Sequence, residues 1–481
     1  MDYQKVGLKA GLEIHQQLDT GKLFSRTPSY LRSDSPNFTI KRKLHKVAGE
    51  TGEVDKAVQY ESSLNKELTY EGYFDTTSLV ELDESPPQPL DQEALEEALK
   101  IALLLNCEIF PVSQIMRKTV IDGSNTSGFQ RTFLIAHSGS LKTSFGEVKI
   151  ESIALEEDSA RIISKEKDKA IYRLDRLGIP LVEITTTPTM FHPEEVKETA
   201  LKLGEILRAC KVKRGIGTIR QDINVSIKGH DKVEIKGFQE PGIMVSTINL
   251  EVERQLENLK LKKKDGEVRN ALANGKTEFL RPLPGKARMY PETDLPILKI
   301  PKPLLDKIRR SLPKLRSEIR AELEKIGLSP ELINLVLEKT ENLEEFETLI
   351  KLHEKDASLI AKMITLWRKE LSVKLSISLE EIKKLTSLDK LKTIIEALNE
   401  NIVEKSDIKK IMEDICSEKS VDEATKIEKI SFDELEEQIS KIIASKPSLS
   451  PNAYMGLIMK DLKGKLDAKK ASEIINKLLK K

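Results

Sequence analysis

The stretch GLEIHQQLD, residues 11–19, sets the pattern from which the rest of the chain is read. Leu12 and Ile14 alternate with Glu13 and His15, the two-residue period of a strand with one dry face and one polar face. Four more segments repeat the device. In IRQDINVSI (219–227) Arg220, Asp222 and Asn224 stand opposite Ile219, Ile223 and Val225. In KVEIK (232–236) Glu234 and Lys236 stand opposite Val233 and Ile235. In IPLVEITT (179–186) Glu183 lies between Val182 and Ile184, and IALEEDSAR (153–161) brings Glu156, Glu157 and Asp158 to a strand end. If these strands are neighbours, one sheet face is core and the other is a basin of acids with a histidine, an arginine and a lysine.

A solvated face of an antiparallel sheet explains any one such strand. Five in one domain favour a site. Clustered carboxylates repel one another unless a cation neutralises them, and Mg2+ takes hard oxygen ligands while engaging phosphates. Arg and Lys in the same basin suit phosphate oxygens. His15 is open to three roles: metal ligand, orienter of a carboxylate, or acid/base. Alternation from Ile153 and Leu155 favours Glu156 over Glu157 on the polar face, yet a strand end need not keep parity, so both stay candidates.

Working outward, the first three hundred or so residues alternate short β-branched runs, such as LVELDESPP (79–87), KTVIDGSN (118–125) and FGEVKIESI (145–153), with turn signals. Helical patterns fall near 91–106, with Leu95, Ala98, Leu99 and Ala102 on one stripe, and near 193–210 and 241–263. Beyond about 300 only helical spacing remains: Leu304, Leu305, Ile308 and Leu312, then Ile360, Met363, Ile364 and Trp367, then Ile408, Ile411 and Ile415. The expected fold class is α+β. A mainly antiparallel sheet domain covers 1–300, an all-α domain 301–415 and a small helical tail 416–481.

At 481 residues the chain suggests roughly three domains. Aromatics make up only 4%, which argues against a base-stacking surface as the main activity. With 79 Lys+Arg against 78 Asp+Glu the net charge is +1, so any nucleic-acid contact is local. Residues 440–481 carry ten lysines and three acids, with Lys460, Lys463, Lys465, Lys469 and Lys470 close together. They form either a solvated helix face or a phosphate-binding one. Lys260, Lys262, Lys263 and Lys264 are either a phosphate contact or a solubilising loop. Cys107, Cys210 and Cys416 are too few and too scattered for a disulfide framework. The start MDYQKVGLKAGLEIH has no basic-then-apolar leader, and the longest apolar run, IALLLN (101–106), is far too short for a bilayer. The expectation is a soluble cytoplasmic protein with no membrane partner. Neither a P-loop, a G-x-G-x-x-G fingerprint nor a G-x-S-x-G elbow occurs, so ATP, if bound, lies on an open sheet, and no nucleophilic serine is signalled. His45, His137, His192, His230 and His353 have no partner spacing and read as surface or local hydrogen-bonding groups.

In order along the chain, GLEIHQQLDTGKLF, KRKLHKVAGETGEVD, VELDESPPQPLDQEAL, DGSNTSGFQRT, LEEDSARII, LDRLGIPLVEITTTP, IRQDINVSI and ARMYPETDLP resemble the E-type subunits of archaeal glutamyl-tRNA(Gln) amidotransferases. PNAYMGLIMKDLKGKLD resembles the tail domain that this family shares with the bacterial B-type subunits. The resemblance implies a cradle domain that uses ATP and Mg2+, a helical domain and a tRNA-gripping tail. It implies an activity too: the side-chain carboxylate of glutamyl-tRNA(Gln) is phosphorylated, and ammonia displaces the phosphate to give glutaminyl-tRNA(Gln). Carried over by position, the metal-binding groups fall on Glu13, His15, Glu156, Glu157 and Glu183, with Glu13, His15 and Glu157 as the catalytic groups. ATP or substrate contacts fall on Arg220, Asp222, Asn224, Glu234 and Lys236, and tRNA(Gln) falls to the five tail lysines. The implied partner is an asparaginase-like, ammonia-producing subunit of the D type, in a heterodimer or a dimer of heterodimers.

Two departures from the family pattern bear on this. Ser25, Thr27 and Ser78 stand where many relatives have cysteines, so no zinc site is expected. The synthetase-like insertion usual between LEVERQLE and RPLPG is missing, because LKLKKKDGEVRNALANGKTEFLRPLPG passes almost straight through. Two rival readings remain. A bacterial B-type protein of the same activity fits ARMYPETDLP and SGFQRT less well, and a non-catalytic tRNA-binding scaffold would not bind Mg-ATP.

Overall fold

The computed structural model describes residues 1–43, 66–120, 122–166, 168–238, 240–283, 289–417, 419–426, 432–446, 450–461 and 468–479. The chain divides into two units, Met1–Leu315 and Arg316–Lys481. Large sheet and many helices together make it a mixed α+β protein.

Among the described residues of the first unit, an eleven-stranded sheet runs Thr277–Pro282, Glu267–Ala271, Val233–Phe238, Ile219–Ser226, Lys9–Gln17, Pro180–Thr186, Gly146–Glu157, Phe129–Thr143, Met116–Thr119, Met289–Pro291, with Glu108–Ile109 beside Phe129–Thr143. Its pairings are antiparallel except between Val233–Phe238 and Glu267–Ala271. The five strands with a polar row occupy five consecutive places in this order. Their apolar rows are buried together. Leu12, Ile223, Val225, Val233 and Ile235 pack with Val196, Met244, Ile248 and Val252 of the helices Pro193–Ala209 and Met244–Lys260. Ile14, Val182, Ile184, Ile153 and Leu155 pack with Leu95, Leu99 and Ile101 of Gln92–Leu104 and with Leu203, Ile206 and Leu207. Each such side chain contributes about 1.5–3 kcal/mol on burial, which fixes the register: a one-residue slip would drive Glu13 and His15 into the helices.

Local chemistry starts these helices. Asp91 accepts from Ala94 N, and His192 with Glu195 closes a capping box at Pro193–Ala209. Gly139 lets the Phe129–Thr143 strand pass close under the helix end, where a Cβ would overlap Cys107 Sγ and Leu105 O. A second, four-stranded sheet runs Phe38–Arg42, Glu67–Gly72, Lys169–Arg173, Arg161–Lys165 around Leu68, Tyr70, Ala170 and Tyr172.

Two expectations change here. LVELDESPP is a set of turns and not a strand: Ser78 Oγ and N both donate to Glu81 Oε2, and Glu81 Oε1 takes the buried Lys22 Nζ at 3.0 Å and Thr27 Oγ1 at 2.6 Å. A carboxylate needed inside for the Lys22 charge pulls that segment out of any ladder. The helix Lys302–Arg310, first of the expected helical domain, lies in the first unit, which runs to Leu315. Ile308 enters the main core, Leu304, Leu305, Leu312 and Leu315 pack against it, and Lys307 Nζ reaches Glu96 at 2.9 Å.

In the second unit, helices from Arg316–Lys325 to Val421–Thr425 share one core that includes Ile333, Phe346, Ile360, Met363, Leu391 and Ile411. Arg368 is fully buried there, paired with Glu345 and donating to Thr386 O at 2.7 Å. The helices Phe432–Ser445, Pro451–Asp461 and Ala468–Leu479 have a separate cluster of Ile439, Tyr454, Ile458, Ala471, Ile474 and Ile475. No helix among the described residues is long and apolar enough to cross a membrane.

Candidate active site on the polar sheet face

Register decides which side chains meet. His15 faces Glu183 on one neighbouring strand and Arg220 on the other, while Glu13 faces Thr185 and Asp222. Glu183 faces Ala154, so Glu156, two residues on, shares its side of the sheet. The outcome is a compact cluster. His15 Nε2 lies 3.4 Å from Glu183 Oε2, 3.5 Å from Glu13 Oε1 and 3.8 Å from Glu156 Oε1. Glu13, His15 and Glu183 can each offer one atom within 4.8 Å of the others, the one such group of potential metal ligands among the described residues.

The electrostatics follow from burial and crowding. Burial, with the charge of Glu183, pushes the Glu13 carboxyl up to about 7. Burial works against a charged His15, but its hydrogen bond to Glu183 and the charges of Glu183, Glu156 and Glu13 overcome it and lift the imidazole to about 9. Burial would likewise raise Glu183, yet Lys118 and His15 hold its carboxyl well below the usual range. Protons on Glu13 and His15 thus do what a cation would do, which is to neutralise a crowded set of acids.

Glu157 has the opposite parity. It is buried with Arg131, whose N and Nη1 reach Glu157 Oε2 at 3.2 and 3.3 Å, and Arg131 Nε donates to Glu292 Oε2 at 2.7 Å. The structure therefore brings Glu156, and not Glu157, to His15. Burial raises Glu157 against the pull of Arg131.

The other expected residues continue the face. Lys236 Nζ pairs with Asp222 Oδ2 at 2.6 Å and also with Glu234, and Asn224 sits opposite Glu234 with its Oδ1 buried and unpaired. Arg220 Nη2 binds Asp158 Oδ1 at 2.7 Å, and Gln17 Nε2 binds Asp158 Oδ2 at 2.6 Å. Of the tail lysines, Lys460 lies in the helix Pro451–Asp461 and Lys469 and Lys470 in Ala468–Leu479; Lys463 and Lys465 lie outside the described residues. The lysines at 260–264 are exposed at a turn. His137, His192 and His230 make local hydrogen bonds, whereas the buried His353 departs from that expectation by pairing with Asn399 Oδ1 at 2.6 Å, and His45 lies outside the described residues.

Sequence reasoning missed Lys118, whose Nζ lies 3.4 Å from Glu156 Oε2 and 3.5 Å from Glu183 Oε2. Its strand, Met116–Thr119, is only four residues long and carries too short an alternation to read. Arg131 and Glu292 were missed as well, because only the fold joins SGFQRT to YPETDLP.

The family model described as the GatB/GatE catalytic domain matches residues 8–306, which span this whole sheet. The chain belongs to the GatB/GatE family. Archaeal proteins named as the E subunit of glutamyl-tRNA(Gln) amidotransferase resemble this GatB/GatE chain over nearly all of both lengths. That of Methanocaldococcus jannaschii is 35% identical over 100% of this chain and 99% of its own. That of Thermococcus gammatolerans is 33% identical over 99% and 98%, and that of Pyrobaculum neutrophilum is 31% identical over 99% and 100%. The first alignment spans 638 positions against 481 residues here, so that relative carries residues with no counterpart in this GatB/GatE chain.

Proposed function

We propose that this chain is the subunit of a cytoplasmic, tRNA-dependent amidotransferase that uses ATP to phosphorylate the side-chain carboxylate of glutamyl-tRNA(Gln) and amidates it with ammonia. The observation that carries the reading is the convergence of Glu13, Glu156 and Glu183 on His15 within a buried basin flanked by Lys118, Lys236 and Arg220.

The chemistry has a clear need. A carboxylate is a poor electrophile for ammonia, because its leaving group would be oxide. Transfer of the γ-phosphoryl group breaks the bond to the bridging oxygen, releases ADP and forms a C–O–P linkage; ammonia then adds at the acyl carbon, phosphate leaves and a proton is lost from nitrogen. The charge that builds up is anionic throughout, and catalysis is mainly positioning and charge neutralisation. The donor set of Glu13, His15, Glu156 and Glu183, mostly hard oxygen, suits Mg2+, which would supply neutralisation of the phosphoryl oxygens there. Glu157 is placed to hold Arg131 instead. Lys236, Asp222, Asn224, Glu234 and Arg220 line the rest of the face and are proposed to bind ATP, with Lys236 and Arg220 as its cations and Asn224 Oδ1 as an acceptor without a hydrogen-bond partner.

The relatives are named as one subunit of an amidotransferase, which supports a separate, asparaginase-like subunit as the ammonia donor. The tail is proposed to hold the tRNA through Lys460, Lys463, Lys465, Lys469 and Lys470. The deciding experiment incubates the purified chain with glutamyl-tRNA(Gln), Mg-ATP and ammonium and separates the released amino acids by thin-layer chromatography. Glutamine is expected with ammonium and none with free asparagine or glutamine as donor. Failure to form glutamine, or deamidation of either amino acid by the chain alone, refutes the reading.

A further inference from the structure

Beside the carboxylate cluster opens a cavity of about 360 Å³, within the size range of small-ligand sites. Its walls include Val112, Met116, Phe133 and Leu134, and its charged lining residues are Lys118 and Glu183. Lys118 is the cation of that lining, and it also belongs to the cluster. Its Nζ shares Glu183 Oε2 with His15 Nε2, at 3.5 and 3.4 Å, and meets Glu156 Oε2 at 3.4 Å. These separations exceed the 2.7–2.9 Å or so of a tight charge-assisted hydrogen bond. The backbone beneath is fixed, since Met116–Thr119 is paired on both edges, to Phe129–Thr143 and to Met289–Pro291. The ammonium, on a flexible four-carbon stem, thus reaches both carboxylates from a fixed stretch of backbone.

We propose that Lys118 is a displaceable counter-ion: it neutralises Glu156 and Glu183 in the metal-free protein, and when a divalent cation takes those carboxylates it turns to the phosphoryl oxygens of a ligand seated in the adjoining cavity. The inference rests on the metal-binding reading above. A dication and an ammonium cannot both sit at full strength on Glu183 Oε2, because their mutual repulsion at such separations is large even at a surface-like dielectric. A phosphorylated ligand resolves the conflict. It offers the displaced ammonium new anionic oxygens at the cavity mouth and leaves the carboxylates to the metal. Metal and ligand then favour each other's binding, and the lysine arrives at the phosphoryl group only when the metal is in place.

The test measures Mn2+ binding to the full chain without nucleotide, from the free-ion electron paramagnetic resonance signal, in wild type, K118M, K118Q, K118R and E183Q. It also measures kcat for ammonium-dependent amidation at saturating Mg2+. Removing the competing charge should tighten Mn2+ roughly tenfold in K118M and K118Q, while K118R stays within about twofold of wild type. Turnover of the uncharged variants should fall on the order of 10²-fold at saturating Mg2+, a loss that neutralising the cluster alone would not produce. Unchanged or weaker Mn2+ binding in K118M or K118Q with a wild-type circular dichroism spectrum overturns the proposal, and so does tightening in K118R or retained kcat. In each of those cases the metal site itself survives if E183Q abolishes Mn2+ binding. Absence of Mn2+ binding from wild type and all variants overturns the metal reading and this inference with it.

Discussion

His15 and Glu183 face each other across the neighbouring strands Lys9–Gln17 and Pro180–Thr186, with Nε2 and Oε2 3.4 Å apart. The pair keeps a proton on a buried imidazole and a charge on a buried carboxylate, so replacing Glu183 is expected to be felt at once by the cluster. Glu183→Gln should weaken Mn2+ binding more than tenfold and remove ATP-dependent amidation. The variant keeps the strand register because Val182 and Ile184 still bury. Isothermal titration with Mn2+ alongside circular dichroism separates loss of a ligand from loss of fold.

The lifted His15 pKa makes stability depend on pH in a defined direction. A group with a folded pKa near 9 against an ordinary 6.5 contributes stability that is complete below 6.5 and is lost as pH rises to about 9. Glu13, raised to about 7, has finished titrating by then, and Glu183 stays ionised. The metal-free chain should lose on the order of 3 kcal/mol between pH 6.5 and 9. Mg2+ or Mn2+ should restore it at the upper end, because a dication replaces the protons. Denaturant melts at several pH values, with and without metal, report this, and metal affinity itself should climb with pH through 7 to 9.

Parity separates the two adjacent glutamates. Glu156→Gln is expected to lower Mn2+ affinity, whereas Glu157→Gln should leave it near wild type. Arg131→Met should be the more destabilising change, by roughly 3–5 kcal/mol, since it takes the cation from the buried Glu157 and leaves Glu292 to Arg117 alone. Urea unfolding of the three variants, paired with Mn2+ titrations, checks the assignment. Metal loss in Glu157→Gln with wild-type stability would reverse it.

The tail is expected to act on tRNA alone. Truncation before Phe432 removes the separate cluster of Ile439, Tyr454 and Ile474 without opening the core around Ile360 and Ile394. Filter binding across a salt series should then show weaker tRNA affinity and a flatter slope, by about 0.9 for each phosphate that is no longer neutralised. Mg-ATP binding should be unchanged. A slope equal to that of the full chain would remove the tail from tRNA recognition.

How much of this was legible before folding can be argued residue by residue. Alternation is a local property, so Leu12, Glu13, Ile14 and His15 declare a two-faced strand on their own, and five such stretches declare a polar basin. Helical patterning likewise revealed the helices at 91–106 and 193–210, within a few residues of Gln92–Leu104 and Pro193–Ala209. Parity even pointed to Glu156 over Glu157. What the sequence left open were matters of distance. That the five strands lie side by side, that Lys118 from a four-residue strand reaches Glu183, and that Arg131 joins Glu157 to Glu292, remote in sequence, all depend on sheet order and register. Register is set where Ile14, Val182 and Leu155 bury against the helices, a many-body packing choice that no single segment carries. The helix Lys302–Arg310 shows the same limit: its stripe announced a helix, but only the apolar surface of Gln92–Leu104 decided which unit it would join. The residue types of the site are thus a local fact, and their meeting point is a consequence of the core on the other side of the sheet.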